Sequence, residues 1–155
     1  MKKIVFICTA NICRSAMAEG IARHLAGNES SLQFSSMGTR ALVGEPADAL
    51  ACEVCSEIGV DLSSHRAQQL DSSTLLSADL ILCMSKKHRD IVAALSPVLA
   101  EKTTLFLTYP KVKLFKKEVR DPFKKSQAFF RTIRTQIEHQ LEEMLPVLLE
   151  GEHHR

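Results

Sequence analysis

No apolar run in the chain approaches the 18 or so residues that a membrane-crossing helix needs. The start, Met1-Lys2-Lys3 and then a short apolar stretch ending at Cys8, lacks the pattern of a cleavable secretory leader. No membrane insertion is expected, and a cytoplasmic location is. Neither a Walker sequence nor a Gly-x-Gly-x-x-Gly occurs, which argues against a nucleotide cradle. Internal repeats, linkers and low-complexity tracts are also missing. A net charge of +2 is too small to indicate a nucleic-acid partner. The five cysteines are an odd number in a chain without secretory features, so free thiols are expected rather than a disulfide framework. Cys52 and Cys55 form a C-x-x-C with no second pair and no His at ligand spacing, which reads as helix packing.

What is present describes an ordinary globule. Hydrophobic residues make up 45% and charged residues 25% of 155 residues, and mean hydropathy is near zero. That length fits one domain, 1–155, able to bury about two-thirds of its unfolded surface. Ile4 to Ile7, Leu32 to Ser36, Asp79 to Met84 and Thr103 to Leu107 read as four strands. Helical spacing occupies the stretches between them: Met17 to Leu25, residues 47 to 58, a short helix through Leu76 capped by Asp71, and Lys86 to Leu95. From Ser126 onward Phe130, Ile133, Ile137, Leu141, Leu145 and Leu148 define a long amphipathic closing helix that Pro146 is expected to kink or end. Residues 111 to 125, rich in lysine and without a clear period, read as an extended surface loop. Alternating strands and helices predict an α/β three-layer α/β/α domain with a four-stranded parallel sheet.

The organising stretch is residues 4 to 19, where a buried strand gives way to a helix across the loop Cys8 to Ser15. Such a loop sets successive backbone N–H groups at the positive end of a helix dipole, where an anion can be held. Cys8 opens it, and the N–H groups together with the Arg14 guanidinium favour the thiolate, the nucleophilic form. Arg14 adds a planar fork that can grip two oxygens of a phosphoryl group. Singly, a Cys ending a strand is more often a core residue and an Arg in a first helical turn more often solvated. Jointly, with five residues between them, they point to a phosphate cradle with a sulfur nucleophile at its floor. A thiolate attacking phosphorus leaves an ester oxygen in need of a proton. Asp121, in Val119-Arg120-Asp121-Pro122-Phe123, is the candidate acid.

The loop Cys8-Thr9-Ala10-Asn11-Ile12-Cys13-Arg14-Ser15, taken with Asp121-Pro122-Phe123, resembles the low-molecular-weight protein tyrosine phosphatases. The resemblance extends through Ser36-Met37-Gly38, Ser64-His65-Arg66-Ala67 and Asp79 to Met84. Ala41-Leu42-Val43-Gly44 and Asp121 to Ser126 are most similar to the bacterial branch acting on tyrosine autokinases of capsule and exopolysaccharide export. The resemblance implies that Cys8 forms a phosphocysteine and that Arg14 binds phosphoryl oxygens. It makes Asp121 first acid and then base, and gives Thr9, Ala10, Asn11, Ile12 and Cys13 to the phosphate-binding loop. Asn11, Ser15, Ser36 and His65 form the supporting network, and Leu42, Phe123 and Lys124 belong to the substrate cleft. The scheme calls for no cofactor and no metal, because amides and a guanidinium supply the electrostatics. The implied partner is a phosphotyrosine protein, a tyrosine autokinase, met by a monomer.

The chain departs from that pattern at Ala10, where the family usually has Gly. If the site requires positive φ, the Cβ adds strain of ~1–2 kcal/mol. Ala16 replaces a usual Pro harmlessly, whereas Leu42 and Lys124 stand where many members have aromatic side chains. Ile12 suits a phosphotyrosine ring better than phosphoarginine, for which a relative carries Thr. Two alternatives stay open: a thiol-dependent arsenate reductase, for which Cys83 could be a relay cysteine but residue 90 is Asp, and a phosphotyrosine-binding module that lost turnover. Cys13 is either a loop-packing residue or the partner of a reversible disulfide with Cys8. His24, His88, His139, His153 and His154 are expected at the surface. Seven cations between Lys111 and Lys125 either form a solvated face or steer an acidic substrate.

Overall fold

The computed structural model describes residues 2–28, 31–111 and 116–153, the side chains of 151–153 apart. β1 (Lys2–Cys8) lies between β2 (Leu32–Gly38) and β3 (Leu80–Cys83), and β4 (Thr103–Leu105) completes a parallel sheet in the order β2-β1-β3-β4. Side chains alternate across β1, as strand geometry requires. Ile4, Phe6 and Cys8 enter the larger core with α1 (Arg14–Ala26), α2 (Ala49–Ser56) and α6 (Gln127–His153). Val5 and Ile7 enter a smaller one with α3 (Ser72–Leu76), α4 (Lys86–Ala93) and α5 (Pro97–Glu101). Phe6 ties the larger core together, stacked at 6.1 Å on Phe34 and edge-on at 5.9 Å to Phe106.

Register places the site. Cys8 pairs with Gly38 and Ile7 with Cys83, so β1, β2 and β3 end level with one another. The order reverses direction at β1, and the carboxyl ends of strands flanking such a point open a crevice for ligands. Gly38 has no room for a side chain, since a Cβ there would lie 2.4 Å from the Thr9 carbonyl oxygen. The second strand can therefore run right up against the loop that follows the first.

Several expectations shift. The fourth strand stops at Leu105, and Phe106–Thr108 turn into a 3-10 segment that buries Phe106 and Leu107. Ser96 and Pro97, a cap and a first-turn proline, open a short α5 that hydrophobic spacing does not reveal. α6 neither stops nor starts anew at Pro146, for Met144, Leu145 and Leu148 are buried on either side and hold the helix together. Residues 116–122 form no regular element; Lys113 and the side chains of His153 and His154 lie outside the described residues. Among the described residues no helix is long and apolar enough to cross a membrane.

Candidate active site

Every carbonyl from Cys8 to Cys13 points outward to a donor. Cys8 O accepts from Thr39 N at 2.9 Å, Thr9 O from Arg40 N at 2.9 Å and Ala10 O from Leu42 N at 3.1 Å. Ile12 O accepts from Asp48 N at 2.9 Å and Cys13 O from Met17 N at 2.9 Å. Asn11 O takes the Nε2–H of His65 at 2.6 Å. With its carbonyls fixed in this way, the loop leaves the N–H groups of Thr9 to Cys13 without an acceptor among the described residues. Adjacent N–H groups so exposed form a concave site for an anion.

Asn11 fixes the curvature. It adopts φ 62°, a left-handed conformation that Asn tolerates better than most residues. Ala10 is not in that region, so the strain expected at its Cβ does not arise, because the left-handed step falls one residue later. The fully buried Asn11 side chain donates through Nδ2 to Ser15 Oγ at 2.7 Å and Ser36 Oγ at 2.9 Å, and accepts from Gln68 N at 2.9 Å. Ser36 passes its own proton to Glu19 Oε1 at 2.6 Å. Ser15 Oγ has accepted from Asn11, which leaves its hydrogen for Cys8 Sγ at 2.8 Å. The hydrogen-bond polarity therefore delivers a donor to the sulfur, as a thiolate requires.

Arg14 is 6% exposed at the head of α1. Its Nη1 donates to Val119 O at 3.0 Å, its Nη2 lies 3.8 Å from Asp121 Oδ2, and its Nε has no partner among the described residues. The Val119 N–H in turn bonds Met84 O at 2.8 Å, docking the Asp121 loop onto the end of β3. Asp121 Oδ1 accepts from Phe123 N at 3.1 Å, a local turn that aims the carboxylate. Residues 8 to 14, Leu42, Asp121 and Phe123 enclose a cavity of about 260 Å³. Leu42 and Phe123, 48% and 45% exposed, form its mouth. Lys124 is not among the lining residues, and its ammonium lies 5.6 Å from the centre of the Phe123 ring. Among the described residues no group of three or more His, Cys, Asp or Glu could hold a metal ion.

The family model described as "Low molecular weight phosphotyrosine protein phosphatase" matches residues 3–153. The chain belongs to that family. The low-molecular-weight tyrosine phosphatase Etp of Escherichia coli K12 is 36% identical over 90% of this chain and 90% of its own. The crystal structure of the tyrosine phosphatase AmsI of Erwinia amylovora superposes with a TM-score of 0.84 at 34% identity, covering 94% of this chain and 92% of that one. The YwlE arginine phosphatase of Geobacillus stearothermophilus gives a TM-score of 0.87 at 27% identity, over 98% and 95% of the two chains.

In this phosphatase Cys13 also lines the cavity, whereas Cys55 and Cys83 lie in the two cores. Burial, then Asp48, pushes the Cys13 thiol far above its ordinary range, and burial pushes Cys55 and Cys83 up to about 12. A neutral buried thiol is a poor nucleophile. Cys83 is fully buried in the smaller core and Asp90 occupies the other relay position, which weakens the arsenate reductase alternative.

His88 overturns its expected surface position: it is 2% exposed. Its Nδ1 accepts from Ser85 N at 3.1 Å and its Nε2 meets Thr9 Oγ1 at 2.8 Å. A Ser three residues ahead of a His at a helix start was the legible signal, a reciprocal cap with imidazole in place of the usual carboxylate. Glu19, which sequence reading also passed over, follows Ser15 by one helical turn and so faces the same side. Burial, then the charges of Arg14 and Lys87, push His88 down to about 4, with Asp121 opposing. The unfolded chain takes up this proton below about pH 6.5 while the fold resists until about 4, so the stability contribution is complete above 6.5 and lost as pH falls. Between pH 7.5 and 5 the loss is about 2 kcal/mol, or about 4–8 °C in Tm for a chain of this length. Thermal melts at the two pH values should show that much less acid sensitivity in His88→Asn, and an unchanged difference would refute the attribution.

Proposed function

We propose that the phosphatase hydrolyses phosphotyrosine monoesters through a covalent phosphocysteine. The reading is carried by the N–H groups of Thr9 to Cys13, in the loop that follows Cys8, which have no acceptor among the described residues. Phosphoryl oxygens would take these N–H groups and the Arg14 guanidinium, and Cys8 Sγ would face the phosphorus in line with the leaving oxygen. The sulfur–phosphorus bond forms as the phosphorus–oxygen ester bond breaks. Asp121 protonates the departing phenol oxygen, then takes a proton from the water that attacks the phosphocysteine, and inorganic phosphate leaves. The N–H groups and Arg14 stabilise the charge on the equatorial oxygens, while Ser15 steadies the sulfur as it departs. Ile12, Leu42 and Phe123 give the ring apolar walls, and Ile12 offers nothing polar to a guanidinium, so phosphotyrosine is favoured over phosphoarginine. The likeness of Ala41 to Gly44 and Asp121 to Ser126 to the branch acting on capsule and exopolysaccharide kinases supports a tyrosine autokinase as protein substrate.

The test is chemical trapping. Enzyme mixed with ³²P-labelled phosphotyrosine peptide and quenched in acid within milliseconds should carry label on the peptide containing Cys8, and iodine, which cleaves phosphorus–sulfur bonds, should release it. The same trial with added glycerol should yield glycerol phosphate, because an enzyme-bound phosphoryl group partitions between acceptors. Absence of both products would refute the covalent route.

A further inference from the structure

We propose that His88 is a positioning residue for the phosphate loop, holding the Thr9 hydroxyl, and with it the residue that directly follows the nucleophile, in place for catalysis. The proposal rests on the phosphatase reading above. Hydrogen-bond accounting fixes the tautomer. The Ser85 backbone N–H can only donate, so the Nδ1 that faces it at 3.1 Å must present a lone pair. A neutral imidazole then carries its single proton on Nε2, and Thr9 Oγ1 at 2.8 Å is the acceptor. His88 thus spans two elements: Nδ1 closes the first turn of α4, and Nε2–H reaches across the end of the sheet to the loop after β1.

Thr9 is where such a hold has most effect. Its carbonyl is fixed by Arg40 N and lies where a Cβ at position 38 would clash with it, and its neighbour on the amino side is Cys8. Rotation of the Thr9–Ala10 peptide would carry an N–H out of the cavity. Asn11 is held against this by four hydrogen bonds with residues elsewhere in the fold or loop, whereas the Thr9 side chain has no partner other than His88 among the described residues. His88 also lies close enough to Arg14 to feel its charge. A neutral donor secures the loop without competing with that guanidinium for the anion, which a Lys or Arg at position 88 would do.

Thr9→Val removes only the hydroxyl, Thr9→Ser keeps it, and His88→Asn retains an acceptor for Ser85 N while falling short of Thr9. Thr9→Val and His88→Asn should each weaken competitive inhibition by inorganic phosphate and lower kcat/KM on p-nitrophenyl phosphate by about fivefold to tenfold, the size of one neutral hydrogen bond. Their double variant should be no worse than either alone, and Thr9→Ser, which keeps the hydroxyl, should recover most of what Thr9→Val loses. Multiplicative losses in the double variant, or a Thr9→Val enzyme indistinguishable from wild type, would overturn the proposal. Should His88→Asn fail to fold, the Val and Ser variants of Thr9 still decide, since neither disturbs the α4 cap. The inhibition constant for phosphate reports binding whatever the chemical route of turnover, so a missing phosphocysteine would refute the covalent route and leave this result standing.

Discussion

Cys8→Ser is expected to lower kcat on a phosphotyrosine peptide by a factor on the order of 10⁴ or more, while phosphate binding stays within about threefold of wild type. The two outcomes separate because the loop is built from groups other than the sulfur. Its six carbonyls are held by Thr39, Arg40, Leu42, His65, Asp48 and Met17, and none of these bonds involves Cys8 Sγ. A serine hydroxyl fits the same space, receives the same Ser15 neighbour, and leaves the N–H groups and Arg14 to grip the anion. What it lacks is the nucleophilicity of sulfur: the Ser15 hydroxyl can donate to an anion at this position but cannot remove a proton from an alcohol. Steady-state assays measure turnover, and isothermal titration with inorganic phosphate measures the affinity on the same preparation. Retention of more than about one hundredth of wild-type kcat would remove sulfur from the chemistry. Joint loss of turnover and phosphate affinity would instead give Cys8 a structural part in the loop.

Much of this site was legible because short-range spacing carried it. Cys8, Arg14 and the strand-to-helix switch lie within one stretch, and the cavity does form at the carboxyl ends of β1, β2 and β3. Asp121 was legible for another reason, an Asp-Pro turn among cations, and the fold brings it to 3.8 Å from Arg14. What stayed hidden depended on contacts between distant residues. Nothing in the local sequence says that position 88 is opposite position 9; that follows from β3 pairing with β1 and from α4 starting just beyond. The Gly38 requirement likewise arises only when β2 lies beside β1. The left-handed step at Asn11 rather than Ala10 was hidden because backbone conformation there is set by the four partners of the Asn11 side chain and carbonyl, not by the residue's own preference. Pro146 does not end the helix, for the opposite reason: propensity is local, and burial of the flanking apolar residues carries α6 through it.

Asp121→Asn should separate the two duties of that carboxylate by leaving group. With phosphotyrosine, whose phenol departs poorly without a proton, kcat should fall by about 10²–10³, the range of a lost general acid. With p-nitrophenyl phosphate, whose phenolate leaves readily, the fall should be nearer tenfold, because little proton transfer is needed in the first step. A contrast between substrates follows only from proton transfer. The other consequence of the substitution, loss of a negative charge 3.8 Å from Arg14, acts on the anion and so applies to both substrates alike. That effect has a definite direction: a guanidinium no longer opposed by a carboxylate should hold inorganic phosphate at least as tightly, so product inhibition should not weaken. Asn still accepts from the Phe123 N–H through its side-chain oxygen, which keeps the turn and the Phe123 wall in place and excludes misfolding of the loop as the source of the contrast. Equal losses on the two substrates would mean that Asp121 acts through charge or in the shared hydrolysis of the phosphocysteine and not on the leaving phenol, whose proton donor would then have to be sought in solvent.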